Sequence, residues 1–244
     1  MLRFVITALF LFLFGVLSIF WLGILWIIGK FNIETKAKLS QESVKIALIV
    51  VGKLAGVKLN VRGREKVPEN EAVLYVANHS SFFDIVMGLP LVKGQTAFIS
   101  KKENRFPILT QYMNNTHGMF FDRNDMKQGM KIILDSIELI KQGISVFIFP
   151  EGTRTKTGEL NTFKEGSFKI ASKTGCKVVP IAISGTAAIF EDHLPWLKAG
   201  EVTIQFGDPF VIGELSDEDK KFPGKYTQGI IQELLDNVKS DKNR

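Results

Sequence analysis

The sequence contains a single cysteine, Cys176, and only three histidines in 244 residues. One cysteine excludes an internal disulfide and the cysteine-rich sites that hold structural zinc. The three histidines are scattered along the chain and do not predict a zinc site, so we expect no metal. The sequence also lacks internal repeats, low-complexity segments and a linker rich in Pro, Gly or Ser, so it does not indicate a second globular domain.

Acidic residues are outnumbered: 31 Lys and Arg face 25 Asp and Glu, which gives a net charge of +6. A basic surface of this kind favours an anionic partner, such as nucleic acid, an acidic membrane surface or a phosphorylated substrate. No pattern typical of DNA- or RNA-binding domains is present, so we expect no nucleic acid partner. Apolar residues make up 45% of the chain, which is typical of a folded protein.

Charge is absent from residues 4–29, which are almost entirely apolar. As a helix this stretch would be about 39 Å long at 1.5 Å per residue. A hydrocarbon core is about 30 Å thick, so the stretch can cross a bilayer with tilt or lie in one leaflet. The run is longer than the apolar part of a secretory signal, and no Ala-x-Ala pattern follows it. We therefore expect a retained membrane anchor, with membrane lipids as partners.

Basic residues dominate the segment after this anchor, with nine Lys or Arg against three acids between Lys30 and Lys66. Such a bias favours the cytoplasmic side of the cell inner membrane or plasma membrane. Residues 43–59 predict either a second, amphipathic helix on the bilayer or an ordinary helix packed on the globular part. We assign residues 1–58 to a membrane-anchoring helical segment and residues 59–244 to a catalytic domain.

From residue 57 onward, short apolar runs alternate with longer amphipathic stretches. Runs of strand length, rich in β-branched and aromatic residues, cover 73–77, 96–100, 145–149, 178–183 and 202–206. Helical periodicity covers 126–141 and 163–174. This alternation predicts an α/β fold with a mostly parallel sheet flanked by helices. In such sheets, ligands bind beyond the C-terminal ends of the strands.

The segment NHSSFFD, residues 78–84, directly follows one of these predicted strands. A regular helix would point His79 and Asp84 about 140° apart, but a strand that bends into a helix here could bring them together. A carboxylate on one imidazole nitrogen fixes the tautomer and raises the basicity of the other nitrogen. The pair is therefore either a general base with its orienting acid or a capping and structural histidine.

A second polar segment, FPEGTRT, follows the strand predicted at 145–149 and contains Arg154. Lys101 and Arg123 also follow apolar, strand-like segments. Several cations at strand ends are what a doubly charged phosphomonoester needs. The alternatives are solvated loop charges and, for Arg123, an ion pair with Asp122.

Taken together and in this order, NHSSFFD, GMFFDR, FPEGTR and VVPIAI resemble the four sequence blocks of the glycerolipid acyltransferase family. The resemblance is strongest to its bacterial 1-acyl-sn-glycerol-3-phosphate acyltransferases, and it runs from about residue 57 to residue 213. Two departures are small: Asn104 stands where relatives often have leucine, and Thr155 replaces a frequent serine. Neither departure removes a catalytic group.

The resemblance implies roles for residues of each block. It implies that His79 is a general base and that Asp84 orients it. The substrate-binding residues that it implies are Lys101, Arg123, Glu151, Gly152, Thr153 and Arg154. The residues implied for the acyl or donor site are Val179, Pro180 and Ile181.

The implied reaction transfers a fatty acyl group from a thioester, acyl-CoA or acyl-carrier protein, to the sn-2 hydroxyl of 1-acyl-sn-glycerol 3-phosphate. It needs no acyl-enzyme, metal or further cofactor, because the thioester is already activated. We expect a backbone N–H near the histidine to stabilise the oxyanion. Two alternatives stay open: an acyltransferase acting on glycerol 3-phosphate or another lysolipid, and a non-catalytic membrane-anchored module that binds anionic lipid.

Overall fold

The computed structural model describes residues 1–122, 125–155 and 157–242. Its helices are α1 (Leu2–Phe31), α2 (Ile33–Ala55), α3 (Phe83–Gly88), α4 (Pro107–Asn115), α5 (Met126–Lys141), α6 (Lys169–Thr174), α7 (Asp217–Lys221) and α8 (Pro223–Lys242). Its strands are β1 (Val57–Arg62), β2 (Leu74–Ala77), β3 (Thr96–Lys101), β4 (Met119–Phe121), β5 (Ser145–Ile148), β6 (Val178–Ser184) and β7 (Gly200–Phe206).

The strands form one sheet in the order β1-β7-β6-β2-β5-β3-β4. Neighbouring strands are parallel except β6 and β7, which are antiparallel. The central strand β2 lies between β5 and β6, and all three point the same way. The loops that follow these three strands therefore meet at one edge of the sheet, where open α/β sheets bind ligands. The predicted fold class is confirmed.

Alternate side chains of the buried strands point to opposite faces of the sheet, so each face has its own apolar core. One core holds Tyr75, Phe98 and Phe147 together with side chains of α2 and α3. The other core holds Leu74, Val146 and side chains of α5, α6 and α8. Burial on both faces is the reason that these strands read as continuous apolar runs in the sequence.

The two N-terminal helices form an antiparallel hairpin with a single-residue break at Asn32. Asn32 has extended backbone angles, and its side chain accepts a hydrogen bond from the Thr35 N–H, which caps α2. Helix α2 ends at Gly56, whose φ of 79° favours glycine over any residue with a Cβ. The chain then enters β1 at once.

Helix α2 packs on the globular part, as one of the two interpretations of residues 43–59 predicted. Its Gln41 side chain accepts the Thr96 N–H at 2.8 Å and donates to the Gly94 carbonyl at 2.7 Å. A Cβ at Gly52 would lie 2.4 Å from the Met87 side chain, so the glycine allows α3 to approach closely. The proposed boundary at residue 58 falls inside β1, which belongs to the sheet.

Helix α1 has the length and composition to cross a membrane, by those two criteria alone. Within the described residues it also contacts the rest of the protein at several points along its length. The Ser18 and Tyr112 hydroxyls are 3.2 Å apart, and the Trp21 indole donates to Ser43 at 2.8 Å. The Phe4 ring meets the edge of Trp196 at a centroid distance of 5.6 Å. Helix α1 therefore lies alongside the fold, with most of its other side chains exposed.

Candidate active site

The site is built on the loop between β2 and α3. The Asn78 side chain exchanges two hydrogen bonds with the backbone of Ile183, at 2.8 and 2.9 Å, which fixes the end of β2 against β6. The chain then bends, and α3 begins four residues after His79. This bend brings Asp84, in the first turn of α3, back beneath the histidine.

The contact between His79 and Asp84 that the sequence predicted is present. His79 Nδ1 lies 2.9 Å from Asp84 Oδ2, and the Asp84 side chain is fully buried. The same carboxylate accepts the backbone N–H groups of Ser80 at 2.7 Å and Ser81 at 2.8 Å. Its other oxygen accepts the Thr186 hydroxyl at 2.5 Å. Four donors thus hold one buried charge in a single orientation, as a buried carboxylate requires.

This arrangement determines which imidazole nitrogen can accept a proton. A carboxylate is an acceptor only, so the proton of a neutral His79 sits on Nδ1. The Nε2 lone pair is then free, and Nε2 has no hydrogen-bond partner among the described residues. Since a nearby carboxylate stabilises the imidazolium, the geometry suits a base that takes up a proton at Nε2.

An aromatic ladder fixes the plane of the imidazole. The His79 ring stacks on Phe149 with a centroid distance of 4.1 Å and an interplanar angle of 17°. Phe149 in turn contacts the edge of Phe147 at 5.3 Å, and Phe147 packs on Tyr75. The ring that carries Nε2 is therefore continuous with the rigid core beneath it.

Glu151 supports the histidine from behind. Its carboxylate accepts the backbone N–H of His79 at 2.6 Å and that of Asn161 at 3.0 Å. The side chain is buried, and burial raises the pKa of Glu151, while the hydrogen bonds from His79 and Asn161 oppose this shift. The structure thus uses this carboxylate to hold two loops together, and it does not place it among the groups that line the cavity beside His79.

Glu191 joins the histidine loop to Arg154. One of its oxygens accepts the Phe82 N–H at 2.6 Å and lies 2.8 Å from Arg154 Nη1. Its other oxygen is hydrogen-bonded to the Ser81 hydroxyl. Glu191 begins a short turn between β6 and β7. The sequence did not predict it as a site residue, because the segment around it has no distinctive local pattern.

The backbone amides of the histidine loop are already hydrogen-bonded. The N–H groups of residues 79 to 83 donate, in order, to Glu151, Asp84, Asp84, Glu191 and the Ser81 hydroxyl. None of these five N–H groups is therefore free to act as the oxyanion donor that we expected in this loop. The loop amides instead fix the catalytic candidates in position.

A cavity of about 230 Å³ opens beside His79. Lys101 and Arg154 line it together with the histidine, so the structure brings these three predicted residues together. Thr153 is exposed, and Gly152 lies next to Lys164 on a neighbouring cavity. The prediction for Arg123 falls on a residue outside the described residues.

A second cavity, of about 180 Å³ and lined mainly by apolar side chains, adjoins the first. The two share Phe82, Ile85, Ser100 and Asn104 as lining residues. The apolar cavity follows β3 from Ser100 back to Thr96, a distance of roughly 13 Å at 3.3 Å per residue. Gln41 and Thr116 line it near Thr96, so it extends from the histidine into the space between α2, α3 and α4.

Val179, Pro180 and Ile181 lie in β6, next to β2, and are buried. Val179 and Ile181 pack in the core below the site, and the two cavities that meet at Phe82 are lined by other residues. Their role in an acyl or donor site stays a prediction. A larger cavity, of about 660 Å³, lies at the opposite end of the sheet beside Gly94, Gly143 and His117.

The fold and this arrangement define an α/β protein with a histidine–carboxylate pair at the C-terminal ends of its parallel strands. The cavity beside the pair is lined by two cationic residues, Lys101 and Arg154, and by the acidic Glu103. Residues 58–184 match the acyltransferase family, and the chain belongs to this family.

Individual proteins similar to this chain are also acyltransferases by name. The chain is 42% identical over 134 residues to a chloroplastic 1-acyl-sn-glycerol-3-phosphate acyltransferase of Arabidopsis thaliana, a match that covers 54% of this chain and 37% of that protein. It therefore spans well under half of the length of that relative. A 1-acyl-sn-glycerol-3-phosphate acyltransferase of Borreliella burgdorferi is 26% identical, with 76% of this chain and 75% of that protein covered.

A solved structure matches almost the whole chain. The 1-acyl-sn-glycerophosphate acyltransferase PlsC of Thermotoga maritima superposes with a TM-score of 0.81 at 26% identity. The match covers 96% of this chain and 95% of that one, so it includes the N-terminal hairpin as well as the sheet.

Proposed function

We propose that this protein transfers a fatty acyl group from an acyl thioester to the sn-2 hydroxyl of 1-acyl-sn-glycerol 3-phosphate, giving phosphatidate. The observation that carries the proposal is the position of His79. Its Nδ1 is held by the buried Asp84, while its ring faces a cavity that Lys101 and Arg154 also line. The names of the relatives support the choice of acceptor.

The chemistry follows from the free Nε2. The acceptor hydroxyl attacks the thioester carbonyl while His79 Nε2 removes its proton, and Asp84 stabilises the imidazolium. The tetrahedral intermediate then collapses, the C–S bond breaks, and the leaving thiolate takes the proton back from His79. No acyl-enzyme forms, and neither a metal nor a further cofactor takes part. General-base assistance of this kind contributes about 10²–10⁴-fold to the rate.

The acceptor phosphate binds in the cavity beside His79, near the two cations that line it. Arg154 offers a planar fork of donors, and Lys101 adds a compact charge in the same cavity. One edge of the Arg154 fork is occupied by Glu191, which leaves its other N–H groups for a phosphate. The acyl chain of the donor lies in the adjoining apolar cavity, so that its carbonyl reaches His79. The donor is acyl-CoA or an acyl-carrier protein, which present the same thioester.

The membrane holds the acceptor and the N-terminal hairpin. Helix α1 contacts α2, α4 and the Trp196 loop over most of its length, so a transverse crossing would draw parts of the globular domain into the hydrocarbon. We therefore place α1 along one leaflet, with its exposed apolar face in lipid and residues 59–244 on the cytoplasmic face.

The test is acyl transfer by the purified full-length chain in lipid vesicles. Labelled 1-acyl-sn-glycerol 3-phosphate and glycerol 3-phosphate are each offered with acyl-CoA and with acyl-carrier protein. We expect phosphatidate from the first acceptor, and its loss in His79→Ala. A matched control is His117→Asn, which removes an imidazole at the far end of the sheet and keeps a side chain that tolerates its φ of 60°.

Phosphatidate formation that survives His79→Ala would remove His79 as the base. Transfer only to glycerol 3-phosphate would replace the proposed acceptor, and no transfer from either donor would favour a lipid-binding module.

A further inference from the structure

We propose that the loop Leu194–Trp196 is a second membrane-contact site, next to the N-terminal end of α1, that seats the active-site entrance on the bilayer interface. The proposal rests on the membrane attachment stated above and adds a part of the catalytic domain to it. Its occupant is the interfacial region of a lipid bilayer.

The first observation is exposure. Leu194 is 61% exposed and Trp196 is 44% exposed. The next residue, Leu197, is buried and anchors the loop to the core. Backbone hydrogen bonds hold the loop in shape: Trp196 N–H donates to the His193 carbonyl at 2.7 Å, and Lys198 N–H donates to Ile189 at 3.0 Å. An ordered turn thus holds two large apolar side chains in solvent. Burial in the protein would have stabilised the fold, so their exposure indicates a contact with another apolar surface.

The second observation is continuity with α1. Phe4, in the first turn of α1, meets Trp196 edge to face at 5.6 Å. Gly56 joins the same corner, because a Cβ there would contact both the Arg3 guanidinium and the Ala199 side chain. The exposed loop therefore extends the apolar surface of α1 at its N-terminal end, so a bilayer that covers one reaches the other.

The third observation is chemistry. Tryptophan is enriched at membrane interfaces because its ring is apolar and its indole N–H is polar. The exposed Lys198 and Asp192 flank the loop with opposite charges, so the loop itself carries no excess of positive charge. Contact by this loop should therefore depend on apolar burial and change little with salt.

The loop is also close in sequence to a residue of the candidate active site. Glu191 begins the turn that leads into Leu194, and its carboxylate holds Phe82, Ser81 and Arg154. Phe82 is itself 46% exposed and lines both cavities of the site. A bilayer in contact with this loop would thus lie at the entrance through which a lysolipid must pass.

The test uses Trp196 as its own probe. Trp21→Phe and Trp26→Phe leave Trp196 as the single tryptophan of the full-length chain, which is then reconstituted into vesicles of phosphatidylcholine with or without brominated acyl chains. We expect the emission to shift to the blue on reconstitution and to be quenched by bromine. Bromines near the headgroups should quench more than bromines near the chain ends. Equal emission in brominated and plain vesicles would overturn the proposal.

A matched control carries F222W in a chain without other tryptophans. Phe222 is 54% exposed but precedes α8, which packs on the sheet face opposite α2. We expect no quenching there. Equal quenching at both positions would show unspecific contact and would also overturn the proposal.

A second measurement addresses activity. Trp196→Ser should lower kcat/KM for an acceptor embedded in vesicles more than for a short-chain acceptor dispersed as monomers. Equal losses with both acceptors would contradict a role in seating the site on the bilayer. Absence of activity in the wild type would count against the proposed function alone, since the quenching measurement does not depend on catalysis.

Discussion

The contacts of Glu191 lead to a prediction that separates a positioning carboxylate from a purely electrostatic one. Glu191→Gln has the same shape and can keep every contact. Its amide oxygen can accept from Phe82 N–H and Arg154, and its amide nitrogen can donate to the Ser81 hydroxyl, which then acts as an acceptor. Glu191→Ala removes all three contacts at once.

The magnitudes follow from these contacts. The ion pair with the half-exposed Arg154 is worth about 0–1 kcal/mol. The loss of the two hydrogen bonds to the histidine loop costs about 1–3 kcal/mol in total, because Ser81 is buried while water can reach Phe82. If that cost falls on the positioning of His79, Glu191→Ala lowers kcat/KM by roughly 5- to 150-fold. Glu191→Gln exchanges charge-assisted bonds for neutral ones, at about 1 kcal/mol, or roughly fivefold.

The assay measures kcat and the KM for the lysolipid separately, in wild type and Arg154→Ala backgrounds. We expect the Glu191→Ala effect on acceptor KM to vanish when Arg154 is absent, because that effect acts through Arg154. The effect on kcat should persist, because it acts through the histidine loop. The control is Asp192→Ala, which removes the adjacent exposed acid. An unchanged kcat/KM in Glu191→Ala would refute the reasoning, and equal losses in the Ala and Gln variants would assign the effect to charge.

Three further predictions concern stability and chain length. In Glu151→Gln the side-chain amide nitrogen faces one of the two backbone N–H groups that donate to Glu151, so one hydrogen bond is lost. The free energy of unfolding at pH 7, measured by urea titration, should fall by about 1–3 kcal/mol. An unchanged urea midpoint would contradict this. Burial lowers the pKa of His117 below about 6.5, the pKa of a histidine in the unfolded chain. The free energy of unfolding of the wild type should therefore fall relative to His117→Asn as the pH drops below about 6.5, and the difference should be constant above that pH. Parallel pH profiles of the two proteins would contradict this. Val44→Phe fills the apolar cavity on its α2 side and should shift the products toward shorter acyl chains, whereas Ile46→Phe, on the exposed face of α2, should not; chromatography of the product chains distinguishes them.

Local sequence patterns predicted most of the fold because the core strands are buried on both faces. The run 145–149 became β5 at 145–148, and the periodic stretch 126–141 became α5 with the same bounds. Strand β1 was not predicted, because its residues alternate with Lys58, Asn60 and Arg62 at a partly exposed sheet edge. The antiparallel direction of β7 also has no local signal, since direction depends on how the chain returns to the sheet.

The site was predictable where one segment carries it and not where distant segments meet. The bend after β2 accounts for the pairing of His79 and Asp84, which the spacing alone allowed. Thr186 and Glu191 bind the same loop from more than 100 residues further along the chain, and neither has a distinctive local pattern. Only the parallel alignment of β2 and β6, with their C-terminal ends at one edge, brings them to the histidine.

The same geometry limits how the negative charge of the proposed tetrahedral intermediate could be stabilised. In a pre-organised site, donors must already point to where the charge develops. The amides of the loop around His79 are hydrogen-bonded to Asp84, Glu151 and Glu191. These bonds hold the proposed base in place, and they leave those amides unable to act as oxyanion donors. In the proposed reaction, the charge would then be met by other groups that line the cavity, of which Lys101 and Arg154 are the cations. Cations that bind the acceptor phosphate would thus share the stabilisation of the oxyanion, and changing them should alter kcat as well as KM.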